Sequence, residues 1–130
     1  MERLTERMAI AQRALRTLSD LLREPRTPIV RDASIQRFEY TFEAVWKTVQ
    51  MFLRDVESLE AGSPKSAIRA SFRVGLLTEE EANPAFAMAD DRNLTVHTYN
   101  ESLAEQICLR LPDYAAVMSR WLSAMETRIE

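Results

Sequence analysis

The stretch Arg37–Val56, RFEYTFEAVWKTVQMFLRDV, decides the fold. Phe38, Phe42, Val45, Val49, Phe52 and Val56 recur at steps of three and four, the spacing of one helical face, and Trp46 and Leu53 widen that stripe. Glu39, Glu43 and Lys47 fall on another face at four-residue spacing, where opposite charges support a helix from outside. Working upstream, the spacing starts this second helix near Asp32 or Ser34, both good N-caps, and the two prolines of the 25–32 stretch make it a loop. Leu4, Met8, Ala11, Leu15, Leu18 and Leu22 form the apolar stripe of a first helix over Glu2–Glu24. Downstream, Ala61-Gly62 is the C-cap signal, and Ser63-Pro64 opens a short third helix that stops at Gly75. Thr78 and Glu81 form a capping box for a fourth helix reaching about Thr98. Asn100 caps a fifth, whose register (Leu103, Ile107, Leu111, Tyr114, Met118, Trp121, Met125) crosses Pro112 without a shift. That reads as one long helix kinked at Pro112, with a break there as the alternative.

No alternating β-branched run competes with these helices, so the chain reads as one all-α domain over 1–130: an antiparallel up-and-down bundle of about five helices. Its 130 residues, 46% apolar and 28% charged, suffice for a core of its own. A net charge of −3 offers no global basic field for non-specific nucleic-acid binding. One cysteine, Cys108, excludes an internal disulfide and a four-cysteine zinc site, and two glycines, Gly62 and Gly75, exclude a glycine-rich phosphate loop. No metal or cofactor is expected. The absence of a membrane-length apolar run and of a leader pattern predicts a cytoplasmic protein.

Chemistry concentrates in one place, Asp90–Asn100, DDRNLTVHTYN. It holds His97, the only histidine, and histidine is the acid–base group of neutral pH. Arg92 precedes it by five residues and Tyr99 follows by two. On a helix Arg92 and His97 lie about 140° apart, whereas Asn93 and His97 share a face. Metal-free phosphodiester cleavage needs a base, an acid and a positive group, and one chain supplies one histidine. If the site is catalytic, it belongs at a two-fold dimer seam. The competing reading is a helix-end cluster in which Arg92 pairs with Asp90 or Asp91 at the surface. Elsewhere Phe38, Tyr40, Phe42, Trp46 and Phe52 read as core, Glu39 and Glu43 as a solvated face with a cation site as alternative, and Cys108 as an inert buried thiol.

Three blocks, Arg37–Leu53, Ser63–Leu77 (SPKSAIRASFRVGLL) and Asp90–Ile107 (DDRNLTVHTYNESLAEQI), together resemble the nucleotidyltransferase substrate-binding protein family, a branch of the HEPN superfamily. The resemblance implies a dimerising helical bundle encoded beside, and complexed with, a minimal nucleotidyltransferase. Many HEPN proteins are metal-independent endoribonucleases with an Arg-x4–6-His motif, which places Arg92, Asn93 and His97 in catalytic positions. Toxin–antitoxin members extend the motif to Arg-x4-His-x-Tyr, and the antitoxin nucleotidyltransferase silences them by adenylylating the tyrosine, here Tyr99. On that reading His97 is the general acid or base, Arg92 stabilises the phosphorane and Asn93 orients the phosphate. Asp90, Asp91 and Glu101 crowd the single arginine, so RNA affinity would need further cations such as Arg37 or Arg69. Three functions follow: a ribonuclease toxin, a subunit that binds a nucleotide or other substrate without cutting anything, and a structural dimer module.

Overall fold

The computed structural model describes residues 2–129. Among these residues are five α-helices: α1 (Glu2–Leu22), α2 (Pro28–Glu57), α3 (Pro64–Arg73), α4 (Glu79–Leu94) and α5 (Glu101–Ile129), with a 3-10 turn at Thr95–His97 before α5. No strand occurs among the described residues. The three long helices α1, α2 and α5 pack on one another, and α3 and α4 form a hairpin that lies against α2 and α5.

The apolar stripes meet as the periodicity requires. Leu4, Leu18, Phe38, Phe42, Phe52, Ile107, Leu111 and Trp121 are fully buried, and removing each such side chain from water contributes about 2–3 kcal/mol. Phe38 stacks on Tyr114 with ring centroids 5.7 Å apart, joining α2 to α5. The Trp121 indole N–H donates to Ser71 Oγ at 3.0 Å, so α5 also holds α3 through a buried polar contact. Tyr40 departs from the core set: it is exposed, and its hydroxyl meets that of Thr17 at 2.7 Å on the outside of the α1–α2 pair.

Helix ends follow local chemistry more closely than the wider pattern. α2 begins at Pro28, earlier than Asp32 or Ser34, because Thr27 accepts from the Val30 N–H at 3.1 Å and Pro28 fills a position whose N–H would be unpaired anyway. It also ends early. Ser58 adopts the left-handed conformation (φ 56°), and both it and Leu59 return their N–H to the Leu53 carbonyl. Ala61-Gly62 is therefore connecting chain, not the cap; Ala61 is buried there, its carbonyl accepting from Gln50 Nε2 at 2.6 Å. α4 stops at Leu94 instead of Thr98, since the Thr95 hydroxyl bonds the Arg92 carbonyl at 2.7 Å and the chain tightens to 3-10. The Ser63 cap, the reciprocal Thr78–Glu81 box and the Asn100 cap form as the sequence predicts. α5 runs unbroken through Pro112, which removes the alternative of a break.

Gly75 closes the α3–α4 turn with φ +80°, a conformation open to glycine at no steric cost. The Leu76 N–H reaches back to the Ser71 carbonyl at 2.8 Å, which completes the C-terminus of α3.

Candidate functional site

The last turns of α4 carry two acidic residues with opposite fates. Asp91 is 5% exposed and points inward. It accepts two bonds from Arg110, at 2.7 and 3.0 Å, and one from the Tyr114 hydroxyl at 2.5 Å. Burial, then the Asp91 carboxylate, push the Tyr114 phenol far above its ordinary range, so it is a fixed donor. Asp90 points outward and pairs with Lys65 of α3 at 2.6 Å. Neither carboxylate pairs with Arg92, contrary to the surface-pair expectation.

Arg92 instead turns toward α2. Its Nη1 donates to Glu39 Oε2 at 3.3 Å and to Thr95 Oγ1 at 3.0 Å. Its Nε sits 3.6 Å from Glu43 Oε1, an ion-pair distance, and makes no hydrogen bond although it is buried. The buried Thr95 hydroxyl is also 2.9 Å from Glu39 Oε2, so the 3-10 turn and α2 grip the guanidinium together. The Glu39–Glu43 face thus clamps Arg92 while both carboxylates stay partly open to solvent. Its signal was in the sequence as a carboxylate pair one helical turn apart, off the apolar stripe, but nothing local names the arginine it holds.

Asn93 is exposed beside Arg92. Both line a cleft of about 260 Å³ whose other walls include Glu43 and Phe42 from α2 and Ser63 and Lys65 from the start of α3. His97, the last residue of the 3-10 turn, and Tyr99 beyond it do not line the cleft. They face each other: Tyr99 Oη is 3.4 Å from His97 Nδ1, with the rings edge-on at 76°. Tyr99 is 83% exposed. Among the described residues no hydrogen bond or ion pair joins Arg92 to His97. The structure therefore splits the four candidates into an Arg92–Asn93 wall and an exposed His97–Tyr99 pair. Arg37 donates to the Thr17 carbonyl at 2.8 Å, and Arg69 lines a separate groove between α3 and α4, so neither is bonded to Arg92.

Among the described residues no group of three or more His, Cys, Asp or Glu could hold a metal ion. Nor, among the described residues, is any helix long and apolar enough to cross a membrane. Cys108 is buried, and burial pushes its thiol above the ordinary range, which keeps it protonated and unreactive.

A helical bundle with a polar cleft at the end of a hairpin, and with the three sequence blocks converging on it, defines the class, and a family comparison makes it specific. Residues 6–127 match the family described as nucleotidyltransferase substrate binding protein like, and the chain belongs to that family. Among solved structures, a crystal structure of a Thermus thermophilus protein (ttk003001694) is 56% identical with a TM-score of 0.86, over 88% of this chain and 98% of that one. The Haemophilus influenzae protein HI0074, whose structure is described as the fold of a substrate-binding domain of a nucleotidyltransferase, is 22% identical with a TM-score of 0.68. It covers 96% of this chain and 98% of its own, and shares the fold. No curated protein matches the chain.

Proposed function

We propose that this chain is a substrate-binding subunit that works with a separate nucleotidyltransferase, and that the Arg92–Asn93 cleft holds the acceptor of the transferred nucleotide. The observation that carries this reading is the clamp on Arg92. Its charge is matched by Glu39 and Glu43, and that of Lys65 by Asp90. The wall is polar but has no surplus positive charge to gather a polyanion. It suits a ligand with hydroxyl or amine groups, which Asn93 and Glu43 can read as donors and acceptors. Co-expression with the nucleotidyltransferase encoded beside it tests the reading. A complex that survives gel filtration is expected, with Asn93→Ala raising the acceptor KM about tenfold and leaving assembly intact. Failure of any complex to form overturns it.

A second reading keeps a specific observation: the exposure of Tyr99 against His97. In an endoribonuclease toxin, His97 would move the proton of the attacking 2′-hydroxyl, Arg92 and Asn93 would hold the phosphate, and two copies would meet at a two-fold seam. Leu94, Val96 and Tyr99, exposed by 39%, 66% and 83%, supply apolar surface for that homodimer beside His97. Tyr99 is open to adenylylation, and a nucleotide there would block His97 by bulk and charge. Intact mass and RNA cleavage, measured on the chain alone and with its partner, separate the two. Cleavage lost on gain of AMP at Tyr99 favours the toxin, whereas intact RNA in both states leaves the binding subunit.

A further inference from the structure

A second concave surface lies at the other end of the α3–α4 hairpin. It encloses about 430 Å³ between one face of α3 (Arg69, Phe72, Arg73) and one face of α4 (Glu79, Asn83, Phe86), with Ala82 at its floor. The spacing explains the concavity. Residues 69, 72 and 73 are one turn of α3, residues 79, 82, 83 and 86 are two turns of α4, and the small side chain of Ala82 leaves unfilled the space that the phenyl rings flank.

Two properties set this groove apart from the Arg92 cleft. Phe72 is 49% exposed and Phe86 half-buried, so aromatic faces are left open to solvent on a protein whose other phenylalanines are buried. Arg69, Arg73, Glu79 and Asn83 make no side-chain hydrogen bond or ion pair among the described residues, while the charged groups around Arg92 are engaged. Open aromatic faces, a free amide, a free carboxylate and two free guanidiniums one turn apart are four kinds of contact, each matching a different part of one ligand. Phenyl rings stack on a base, an amide reads a base edge, a carboxylate accepts from ribose hydroxyls, and guanidiniums fork onto phosphate.

From this convergence we infer that the α3–α4 groove is a binding site for a mononucleotide. The inference deepens the substrate-binding reading and rests on it: the hairpin would hold the acceptor at its Ser63–Asn93 end and the nucleotide at its Phe72–Phe86 end. The groove volume lies within the range of about 300–1,000 Å³ usual for small-molecule sites. The mixture of a carboxylate, an amide and two guanidiniums beside the phenyl rings favours a nucleotide over an amphipathic helix of a partner protein, whose anchors are apolar and at helical spacing.

Calorimetric titration of the full chain with ATP, AMP and inorganic pyrophosphate tests the site. ATP is expected to bind saturably, AMP more weakly and pyrophosphate least. Phe72→Ala should weaken ATP binding at least about fivefold, as loss of one stacked base implies, and Arg69→Ala with Arg73→Ala at least about tenfold. Arg16→Ala, on the exposed face of α1, should change nothing. These residues are exposed, and a circular dichroism melt confirms that each variant is folded. Asn83→Ala is the second probe, expected to weaken ATP binding and to flatten its preference over other nucleoside triphosphates. ATP binding that Arg92→Ala abolishes and the groove variants leave intact overturns the inference by moving the nucleotide to the cleft. No ATP binding at millimolar concentration, with a nucleotidyltransferase complex still formed, overturns it and leaves the substrate-binding reading standing. If the double arginine variant then weakens that complex, the groove is a protein-docking surface. ATP binding in the groove without any complex sinks the substrate-binding reading and leaves the site.

Discussion

Asp91 shows how one residue can be mistaken for a surface charge. Beside Arg92 in sequence it invites a local ion pair, but helical geometry turns neighbours about 100° apart, so the two side chains leave α4 in different directions. Arg92 goes to α2, and Asp91 goes to α5, where it satisfies the buried Tyr114 hydroxyl. Asp91→Ala should destabilise the protein by about 2–3 kcal/mol in urea unfolding, chiefly by stranding that hydroxyl. Tyr114→Phe should cost only about 1 kcal/mol, because it removes the donor and leaves Arg110 on the carboxylate. Glu81 adds a pH dependence. The Thr78 backbone N–H, with Arg120 at 2.7 Å, holds its carboxyl below the ordinary glutamate range despite partial burial. A lowered folded-state pKa means stability that is fully present above the unfolded value and lost as pH falls through the folded one. Thermal midpoints should thus decline below about pH 4.5, and Glu81→Gln should shallow that decline. The sequence marked Arg92 and its acidic neighbours as the place where chemistry concentrates. It could not reveal their pairings, because Glu39, Arg110 and Tyr114 arrive from helices 19 to 53 residues away.

At the scale of elements, the N-caps of α3, α4 and α5 were the legible part. Ser63, Thr78 and Asn100 bond donors within three residues of themselves, so their chemistry is complete in the local sequence. The start of α2 was not legible: of two prolines three residues apart, one breaks the chain and the other begins a helix. Only Thr27 before Pro28 distinguishes them. Apolar periodicity carried α5 correctly across Pro112. That ring still removes a backbone donor from mid-helix, and Pro112 is exposed, so Pro112→Ala should raise stability by about 1–2 kcal/mol. Gly75→Ala should lower it by about 1 kcal/mol. Its φ of +80° is strained for any L side chain, and the new Cβ would come 3.3 Å from Arg128 Nη2, a tight but movable neighbour. Because that turn sets how α3 and α4 diverge, the same variant should alter ligand binding between them, measurable in the same titrations.

For the whole molecule, three long amphipathic stripes and a capped helical hairpin, joined by short connections, leave little choice but an antiparallel bundle, and the fold class was readable for that reason. The association of copies was not readable in the same way, since apolar residues that face a partner obey the same helical spacing as those that face the core. The proposed homodimer makes a distinct claim. Light scattering should give twice the 15.0 kDa chain mass, and Val96→Glu, which puts charge into the exposed patch beside His97, should return the monomer mass without lowering the melting temperature by more than a degree or two. A monomer at high concentration in the unaltered protein would count against any site shared between copies.

The seclusion of Cys108 has a practical consequence. With its one thiol walled off and held protonated, the chain is expected to be silent toward maleimide dyes and spin labels. A cysteine placed at will, for instance Ala87→Cys on the exposed side of α4, becomes the sole addressable position without first rebuilding the core. Pairs of such reporters on the hairpin and on α1 would turn this small bundle into its own ruler, able to show whether α3 and α4 stay put or swing when a partner arrives.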